Sequence, residues 1–308
     1  MTTSFDWRLP RGTQIRGKWK RSSYRVDRLL GEGANGKVYL VERQRTWYAM
    51  KIGADAVDLQ SEINVLQAIA KAKLVNRSEP YLVEVDDFSA ADGKDYPFYV
   101  MRYIRGATLS DFLSNRGMEW FPVAGYSLLV KLSELHAGKW TFGDLKAENV
   151  LVSEYGRVEL VDYGGVTAFG KSVRQFTEIY DRGYWNAGSR SADAGYDLFS
   201  FGVLCIQVYD ARRLAALAGS LLPQNRSPEE LLKLAASIPA LRPLGDWLAK
   251  ALRGTFSGVE EAAREWQQWQ RRSSVRASAA VPRWMKGLFV ASAALLATTI
   301  YWLLRTGV

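Results

Sequence analysis

The stretch WTFGDLKAENVLVSEYGRVELVDYG, residues 140–164, decides the fold of this chain. Two short apolar runs, 150–152 and 158–161, flank the turn residues 154–156, a pattern that predicts a β-hairpin. Four polar residues lie at its ends, namely Asp144, Lys146 and Asn149 before it and Asp162 after it. Because a hairpin returns its flanks to one edge, we expect these side chains to converge. Two carboxylates and an amide supply oxygen ligands for a hard cation such as Mg²⁺, and an ammonium group suits a phosphate.

Composition excludes several classes of protein. The chain has 308 residues, 48% of them hydrophobic, which is enough for one large or two ordinary folded domains. Its single cysteine, Cys205, excludes an intrachain disulfide and a cysteine-rich zinc site. Its single histidine, His136, ends an apolar helical pattern, and we predict a structural role for it.

The net charge of +9 is concentrated at the two ends of the chain. Residues 1–21 contain six Lys or Arg against one Asp, and residues 264–308 contain seven against one Glu. The N-terminal segment has no apolar run, so no secretory signal is predicted. Its basic residues alternate with Trp7, Ile15 and Trp19, which indicates either a solvated edge packed on the body or a polyanion contact.

A glycine loop lies near the N-terminus, in YRVDRLLGEGANGKVYLV at residues 24–41. Gly31, Gly33 and Gly36 form a G-x-G-x-x-G motif, which alone is weak because dinucleotide-binding folds share it. A strand pattern follows Gly36 where a dinucleotide site would begin a helix. We therefore predict a glycine loop between two antiparallel strands.

The next strand pattern, residues 47–52, contains one lysine in an apolar run. Lys51 is costly to bury unless it is paired. Its predicted partner is Glu62, in a helical pattern whose buried face would carry Leu59, Ile63, Leu66 and Ala70.

In this order and spacing, the motifs resemble those of Hanks-type bacterial Ser/Thr protein kinases. The pattern Asp144-Leu145-Lys146-Ala147-Glu148-Asn149 precedes Asp162-Tyr163-Gly164 at a separation typical of that family. The resemblance covers about residues 24–270 and implies an α+β, bilobal kinase fold. It places a small β-rich N-lobe at 24–101 and a helical C-lobe at 106–270.

The resemblance also implies site residues, with ATP and Mg²⁺ as cofactors and Ser/Thr residues of proteins as acceptors. Asp144 would accept the proton of the acceptor hydroxyl, and Lys146 would neutralise the transferring phosphoryl group. Asn149 and Asp162 would hold the metal. The implied nucleotide-binding residues are Gly31, Gly33, Gly36, Val38, Ala49, Lys51, Glu62, Met101, Arg102, Ile104 and Leu151. Among them, Met101 would be the gatekeeper, and the backbones of Arg102 and Ile104 would meet the adenine.

A long, hydroxyl-rich loop between Asp162 and Arg182 occupies the activation-segment position. Its candidate autophosphorylation sites are Thr167, Ser172 and Thr177. The resemblance assigns Asp197, which opens an apolar helix, to anchoring the backbone of the catalytic loop.

Three features depart from the family pattern. Phe142-Gly143 replaces the usual His-Arg before the catalytic Asp, so no arginine at this position can pair with a phosphorylated activation loop. The usual Phe of Asp-Phe-Gly is Tyr163. Residues 183–188, GYWNAG, stand where Ala-Pro-Glu normally ends the activation segment, which predicts a different substrate-docking surface.

Two alternatives remain open at this point. Phe142-Gly143-Asp144 also resembles the His-Gly-Asp of aminoglycoside and choline phosphotransferases, but those enzymes typically have His where this chain has Lys146. A protein acceptor is therefore favoured over a small molecule. The second alternative is a catalytically weak, nucleotide-binding membrane scaffold.

The C-terminus contains an uninterrupted uncharged run, residues 287–304, between Lys286 and Arg305. A helix of that length extends about 27 Å, and we predict one transmembrane helix. A basic linker at 271–286 precedes it and a tail at 305–308 follows, and residues 273–282 of the linker are predicted to be flexible. The positive-inside rule then predicts that the kinase lies in the cytoplasm as part of a single-pass, tail-anchored membrane protein. Together with the segments GANGKVYL, FGDLKAENVLV and YDRGYW, this arrangement is similar to tail-anchored kinases of spore-forming bacteria, at least one type of which is activated by DNA. Sporulation as a setting, and DNA or anionic lipid as a partner of the basic segments 1–23 and 271–286, follow as expectations.

Overall fold

The computed structural model describes residues 8–33, 36–53, 55–71, 81–90, 92–174, 177–278 and 283–306. The chain divides after Glu265 into two compact units. The first unit contains both lobes of the predicted bilobal fold, and the second contains the C-terminal helical region.

The N-lobe is an antiparallel sheet of six strands in the order β1-β2-β3-β4-β6-β5. The strands are β1 (Gln14–Arg16), β2 (Ser23–Gly33), β3 (Gly36–Arg43), β4 (Thr46–Gly53), β5 (Leu82–Ser89) and β6 (Asp95–Arg102). Alternating residues of these strands form one apolar core that includes Tyr24, Tyr39, Met50 and Phe98. The predicted nucleotide-binding side chains of these strands lie on the opposite face of the sheet.

Helix α1 (Ala56–Lys71) packs on this lobe where the sequence predicted a helix. Its buried residues are Leu59, Glu62, Ile63, Leu66 and Ile69. The prediction that Ala70 lies on the buried face was wrong, because the helical repeat places Ile69 there and leaves Ala70 exposed.

The C-lobe begins after the hinge that follows β6. Its elements are β7 (Ala107–Thr108), α2 (Leu109–Arg116), α3 (Phe121–Ala137), β8 (Trp140–Thr141), β9 (Val150–Val152), β10 (Val158–Leu160), β11 (Thr167–Ala168), α4 (Ala194–Ser220), α5 (Pro228–Ser237), α6 (Gly245–Arg253) and α7 (Val259–Ser278). The predicted hairpin is confirmed as β9 and β10, with Val150 opposite Leu160 and Val152 opposite Val158. Helix α4 is buried through its first three turns and kinks at Asp210.

The basic N-terminal segment is held on the N-lobe more closely than the sequence indicated. Strand β1 pairs with β2, and Ile15 is buried. The carboxylate of Asp86 accepts hydrogen bonds from the backbone N–H groups of Trp19 (3.0 Å) and Lys20 (2.8 Å). Trp7 lies outside the described residues. For residues 8–21 the structure therefore agrees with the solvated, packed edge that the sequence analysis weighed.

Helix α8 (Arg283–Thr306) forms where the C-terminal helix was predicted. In the part of the chain that the structure describes, no helix combines the length and the apolar character needed to cross a membrane. This finding does not support the predicted transmembrane helix at 287–304. The prediction of a flexible linker was wrong up to Ser278, because α7 continues through residues 271–278, whose Arg and Ala are good helix formers. Residues 279–282 lie outside the described part.

Candidate functional site

Lys51, on β4, is bonded to helix α1 and to the segment that follows β10. Its Nζ donates to Oε2 of Glu62 on α1 (2.7 Å) and to Oδ1 of Asp162, which follows β10 (2.9 Å). The hydroxyl of Tyr99 on β6 donates to the other oxygen of Glu62, at 2.8 Å. The pairing of Lys51 with Glu62 is confirmed, and their short separation along the chain does not prevent it.

Burial and charge oppose each other within this cluster. Burial lowers the pKa of Lys51, but the carboxylates of Glu62 and Asp162 outweigh it, so its pKa is raised above 10.5. Burial raises the pKa of Glu62, and although Lys51 lowers it, the net shift is upward. For Asp162, burial also raises the pKa, yet Lys51, Lys146 and the N–H of Gly164 together outweigh burial, so the net shift is downward. Lys51 is therefore charged, and Asp162 presents a carboxylate at the mouth of the cleft.

The register of the sheet brings together the residues predicted to form the adenine slot. Val38 lies opposite Lys51, and Ala49 lies opposite Met101. Since cross-strand partners share a face of the sheet, all four side chains belong to one face. The hydroxyl of Tyr81 donates to the sulfur of Met101 at 3.1 Å, which fixes the predicted gatekeeper.

The three loop glycines differ in what surrounds them. A Cβ on Gly36, whose φ is +135°, would lie 2.1 Å from the carbonyl oxygen of Ile52. A Cβ on Gly31 or Gly33 would meet no described atom within 4 Å. Gly36 is therefore required by the fold, whereas the first two glycines leave open space beside the sheet face that carries Lys51.

The catalytic-loop residues converge on one carboxylate. Asp144 is buried, and its Oδ2 accepts hydrogen bonds from Lys146 Nζ (2.8 Å) and Asn149 Nδ2 (3.0 Å). Asn149 Nδ2 also donates to the Asp144 carbonyl oxygen at 2.9 Å. Oδ1 of Asp144 is buried without a hydrogen-bond partner among the described residues. The carboxylate is thus held by one oxygen and offers the other as an acceptor.

Asp197 holds the backbone of the loop that precedes Asp144. Its two carboxylate oxygens accept the N–H groups of Phe142 (2.7 Å) and Gly143 (2.9 Å), as predicted. Nε2 of His136 lies 2.8 Å from Asp197 Oδ2, so the structural role predicted for His136 is confirmed.

The glycine that replaces the family arginine is required by the geometry. Gly143 has a φ of +76°, and a Cβ there would lie 2.5 Å from the carbonyl oxygen of Gly165. A Cβ on Gly165 would in turn lie 2.8 Å from Cβ of Asp144. The catalytic loop and the segment after Asp162-Tyr163-Gly164 approach too closely for any side chain at either position.

A different network takes the place of Ala-Pro-Glu. Arg182, 9% exposed, donates to both carboxylate oxygens of Asp193 (2.8 and 2.7 Å) and to the carbonyl oxygens of Ser189 and Ser191. The fully buried Asp181 accepts the hydroxyl of Tyr196 at 3.1 Å. The end of the activation segment is therefore anchored to the start of α4 by charge-assisted hydrogen bonds.

The predicted phosphoacceptors lie along this segment. Ser172 is exposed and forms a β-bridge with Ser191, whereas Thr167 and Thr177 are half-buried. The hydroxyl of Thr167 donates to the carbonyl oxygen of Gly165 at 3.0 Å.

Three residues that support the site, Tyr99, Arg182 and Asp193, were not predicted from the sequence. Tyr99 becomes visible only through the register that places it opposite Lys51. Arg182 and Asp193 belong to none of the catalytic motifs, and the signal for a different anchor was the missing Ala-Pro-Glu itself.

Comparison with known proteins agrees with this geometry. The model of the protein kinase domain family matches residues 24–227. The chain belongs to the protein kinase family. It is 35% identical over 264 residues to the serine/threonine-protein kinase YabT of Bacillus subtilis (strain 168), an alignment that covers 85% of this chain and 76% of that protein.

Solved structures show the same fold. The kinase domain of Mycobacterium tuberculosis PknI superposes with a TM-score of 0.54 at 22% identity, over 85% of this chain and all of that one. Vaccinia related kinase 3 gives a TM-score of 0.53 at 19% identity, over 81% and 86% of the two chains. The prediction of a Ser/Thr protein kinase is confirmed, rather than that of a small-molecule phosphotransferase.

Proposed function

We propose that this kinase transfers the γ-phosphoryl group of Mg²⁺-bound ATP to serine and threonine hydroxyls of proteins, its own included. The observation that carries the proposal is that Lys146 and Asn149 both donate hydrogen bonds to the buried carboxylate of Asp144. Phosphoryl transfer needs positioning and charge neutralisation more than covalent chemistry, and these residues supply both.

Asp144 has the role of general base. Its free, buried Oδ1 accepts the proton of the acceptor hydroxyl, while Oδ2 stays bound to Lys146 and Asn149. Lys146 neutralises charge on the transferred group. Lys51, oriented by Glu62, holds the α- and β-phosphates under the lid formed by Gly31 and Gly33.

Asn149 and Asp162 are the proposed metal ligands. Among the described residues, no three His, Cys, Asp or Glu side chains cluster as a metal site. Mg²⁺ typically takes only one or two protein oxygens and completes its shell with phosphates and water, so an amide and a carboxylate fit it. The lowered pKa of Asp162 keeps this carboxylate ionised at neutral pH. When bound, the metal supplies positive charge against the phosphate oxygens.

The adenine site is proposed at the sheet face formed by Val38, Ala49 and Met101, with Leu151 as its floor. The backbone groups of Arg102 and Ile104 lie in the hinge beside it. The proposed kinase domain, 24–270, begins where the family match begins. Thr167, Ser172 and Thr177 are the proposed autophosphorylation sites, and Ser172 is the most accessible of them.

The experiment is an autophosphorylation assay with labelled ATP and Mg²⁺. We expect Lys51→Ala, Asp144→Asn and Asp162→Asn each to abolish incorporation while circular dichroism stays that of the wild type. Mapping the labelled residues tests the three proposed phosphoacceptors. Activity that survives Asp162→Asn would contradict the metal assignment.

Membrane association through the C-terminal helix is also proposed, with the kinase domain on the cytoplasmic side. Support comes from the uncharged run at 287–304 and from apolar side chains exposed along α8, such as Phe289 (76%) and Leu295 (72%). Flotation of the full chain with liposomes tests it. Leu295→Arg with Leu296→Arg should abolish flotation, and unchanged flotation would refute the proposal.

Stimulation by a polyanion, duplex DNA or anionic lipid, is proposed for the basic N-terminal and juxtamembrane segments. The N-terminal contribution is limited, because Arg8, Arg11 and Lys18 already pair with carboxylates of the N-lobe. Salt-dependent stimulation of activity, lost on Arg or Lys to Ala changes in either of the two basic segments, would support it. No response to DNA or to anionic vesicles at low salt would refute it.

A further inference from the structure

A cleft of about 320 Å³ lies between the hinge and the β9–β10 hairpin. We call it the hinge cleft, and its lining is Arg102, Tyr103, Ile104, Arg105, Leu151, Ser153, Arg157 and Glu159. Neither Val38 nor Ala49, which belong to the adenine slot, lines it. The cleft therefore adjoins the proposed adenine slot, with which it shares Leu151 and the hinge residues Arg102 and Ile104, and does not coincide with it. Its volume is that of a small ligand pocket.

The hairpin turns its polar face toward this cleft because its residues alternate. Val152 and Val158 are buried on one face. On the other face Glu159 lies opposite Leu151, and the carbonyl oxygen of Arg157 accepts the N–H of Ser153 at 2.9 Å. Ser153 and Arg157 flank the turn just outside the two strands and add a hydroxyl and a guanidinium to the lining of the cleft.

The cleft carries an excess of positive charge. Three of its lining residues are arginines and one is a glutamate, and Glu159 is already paired with Lys131 at 3.3 Å. Within the described residues, none of the three arginines forms an ion pair. Nε of Arg102 is buried there without a hydrogen-bond partner. Buried donors are nearly always satisfied, so this one calls for an acceptor that the described chain does not provide.

We propose that the hinge cleft binds an acidic segment of a protein partner, with side-chain carboxylates received by Arg102, Arg105 and Arg157. Guanidinium groups match carboxylates in a two-point geometry that lysine does not offer. Tyr103, Ile104 and Leu151 add apolar surface between the charges, which suits an extended peptide. The phosphates of a duplex lie on a convex surface and do not enter a cleft of this volume.

The consequence rests on the proposed function. An acidic segment held beside the hinge tethers its protein next to the catalytic cleft and raises the local concentration of the acceptor hydroxyl. Substrates that carry such a segment should therefore have a lower KM at unchanged kcat.

The test measures binding of fluorescein-labelled hexaglutamate to the full chain at low salt, with hexaglutamine as the peptide control. The variant Arg105→Ala with Arg157→Ala removes two exposed charges of the cleft. Arg116→Ala with Arg212→Ala removes the same charge from exposed helical positions elsewhere. We expect about a tenfold loss of affinity in the cleft variant, as for two exposed charge-assisted contacts, and less than about twofold in the control.

A non-hydrolysable ATP analogue should not displace the peptide. The proposal is overturned if the wild type does not bind hexaglutamate, if both double variants lose affinity equally, if the analogue competes, or if only a duplex oligonucleotide binds at this site. Autophosphorylation of the same preparations reports the catalytic assignment separately. If the chain autophosphorylates but does not bind hexaglutamate, the cleft proposal is refuted and the catalytic assignment is not.

Discussion

Replacing Gly143 by alanine tests whether the missing family arginine is a consequence of geometry. The position has a φ of +76°, and the added Cβ would lie 2.5 Å from the Gly165 carbonyl oxygen. Real Cβ contacts essentially never fall below 3.0 Å, so one of the two backbones must move. Both adjoin the proposed general base, since Asp144 follows Gly143 directly and a Cβ on Gly165 would lie 2.8 Å from Cβ of Asp144.

The magnitude has two parts. A left-handed backbone conformation costs an alanine about 1–2 kcal/mol. Forcing an extra methyl group into a packed site costs about 1–3 kcal/mol more. The sum of about 2–5 kcal/mol corresponds to a fall in Tm of roughly 4–20 °C for a domain of this size.

The assay is thermal unfolding followed by autophosphorylation at a temperature where the variant is folded. Gly254→Ala is the matched control, because Gly254 has a φ of +67° and its Cβ would meet no described atom within 4 Å. Gly254→Ala should lose only the part of its stability that comes from the left-handed backbone conformation, and it should keep full activity. Gly143→Arg, which restores the family residue, should be inactive. A Tm for Gly143→Ala within about 2 °C of that of the control, or activity in Gly143→Arg, would refute the reasoning.

Further predictions concern the lid, the Lys51 partner and the activation segment. Gly33→Ala should keep the wild-type Tm and raise the KM for ATP, whereas Gly36→Ala should lower the Tm; equal thermal effects would contradict this. Tyr99→Phe removes a hydrogen bond that lowers the pKa of Glu62, so that pKa rises. Because Glu62 then protonates at a higher pH, the acid limb of kcat/KM should move upward, and an unchanged limb would count against the assignment. Arg182→Met leaves the Asp193 carboxylate and two carbonyl groups without this donor, which should cost about 1–3 kcal/mol and speed proteolysis of the activation segment; unchanged proteolysis would disprove the anchoring role.

Local sequence patterns predicted the hairpin, the glycine loop and the strand that contains Lys51, because strand alternation and turn preferences depend on neighbouring residues. The spacing from Asp144 to Asp162 identified the family for the same reason, since a tight hairpin fixes the distance between its flanks. The exposure of Ala70 shows the limit of such patterns, because the rotation of a helix against a sheet depends on the sheet.

The C-terminal region shows a second limit. The uninterrupted uncharged run at 287–304 predicted a transmembrane helix. The structure contains a helix there, but no helix among the described residues has the length and apolar character of a membrane span. Helix α7 runs into residues predicted to be a flexible linker, because serine, alanine and arginine side chains tolerate both states.

The sequence by itself determined the family, because the order and spacing of its motifs lie along the chain. It also predicted the pairing of Lys51 with Glu62, because a buried lysine needs a partner. Only the tertiary structure decided why Gly143 replaces arginine, how Arg182 anchors the activation segment without Ala-Pro-Glu, and which arginines line the hinge cleft. These features depend on the approach of segments far apart in sequence, where a carbonyl oxygen or a carboxylate from elsewhere in the fold determines which side chain fits.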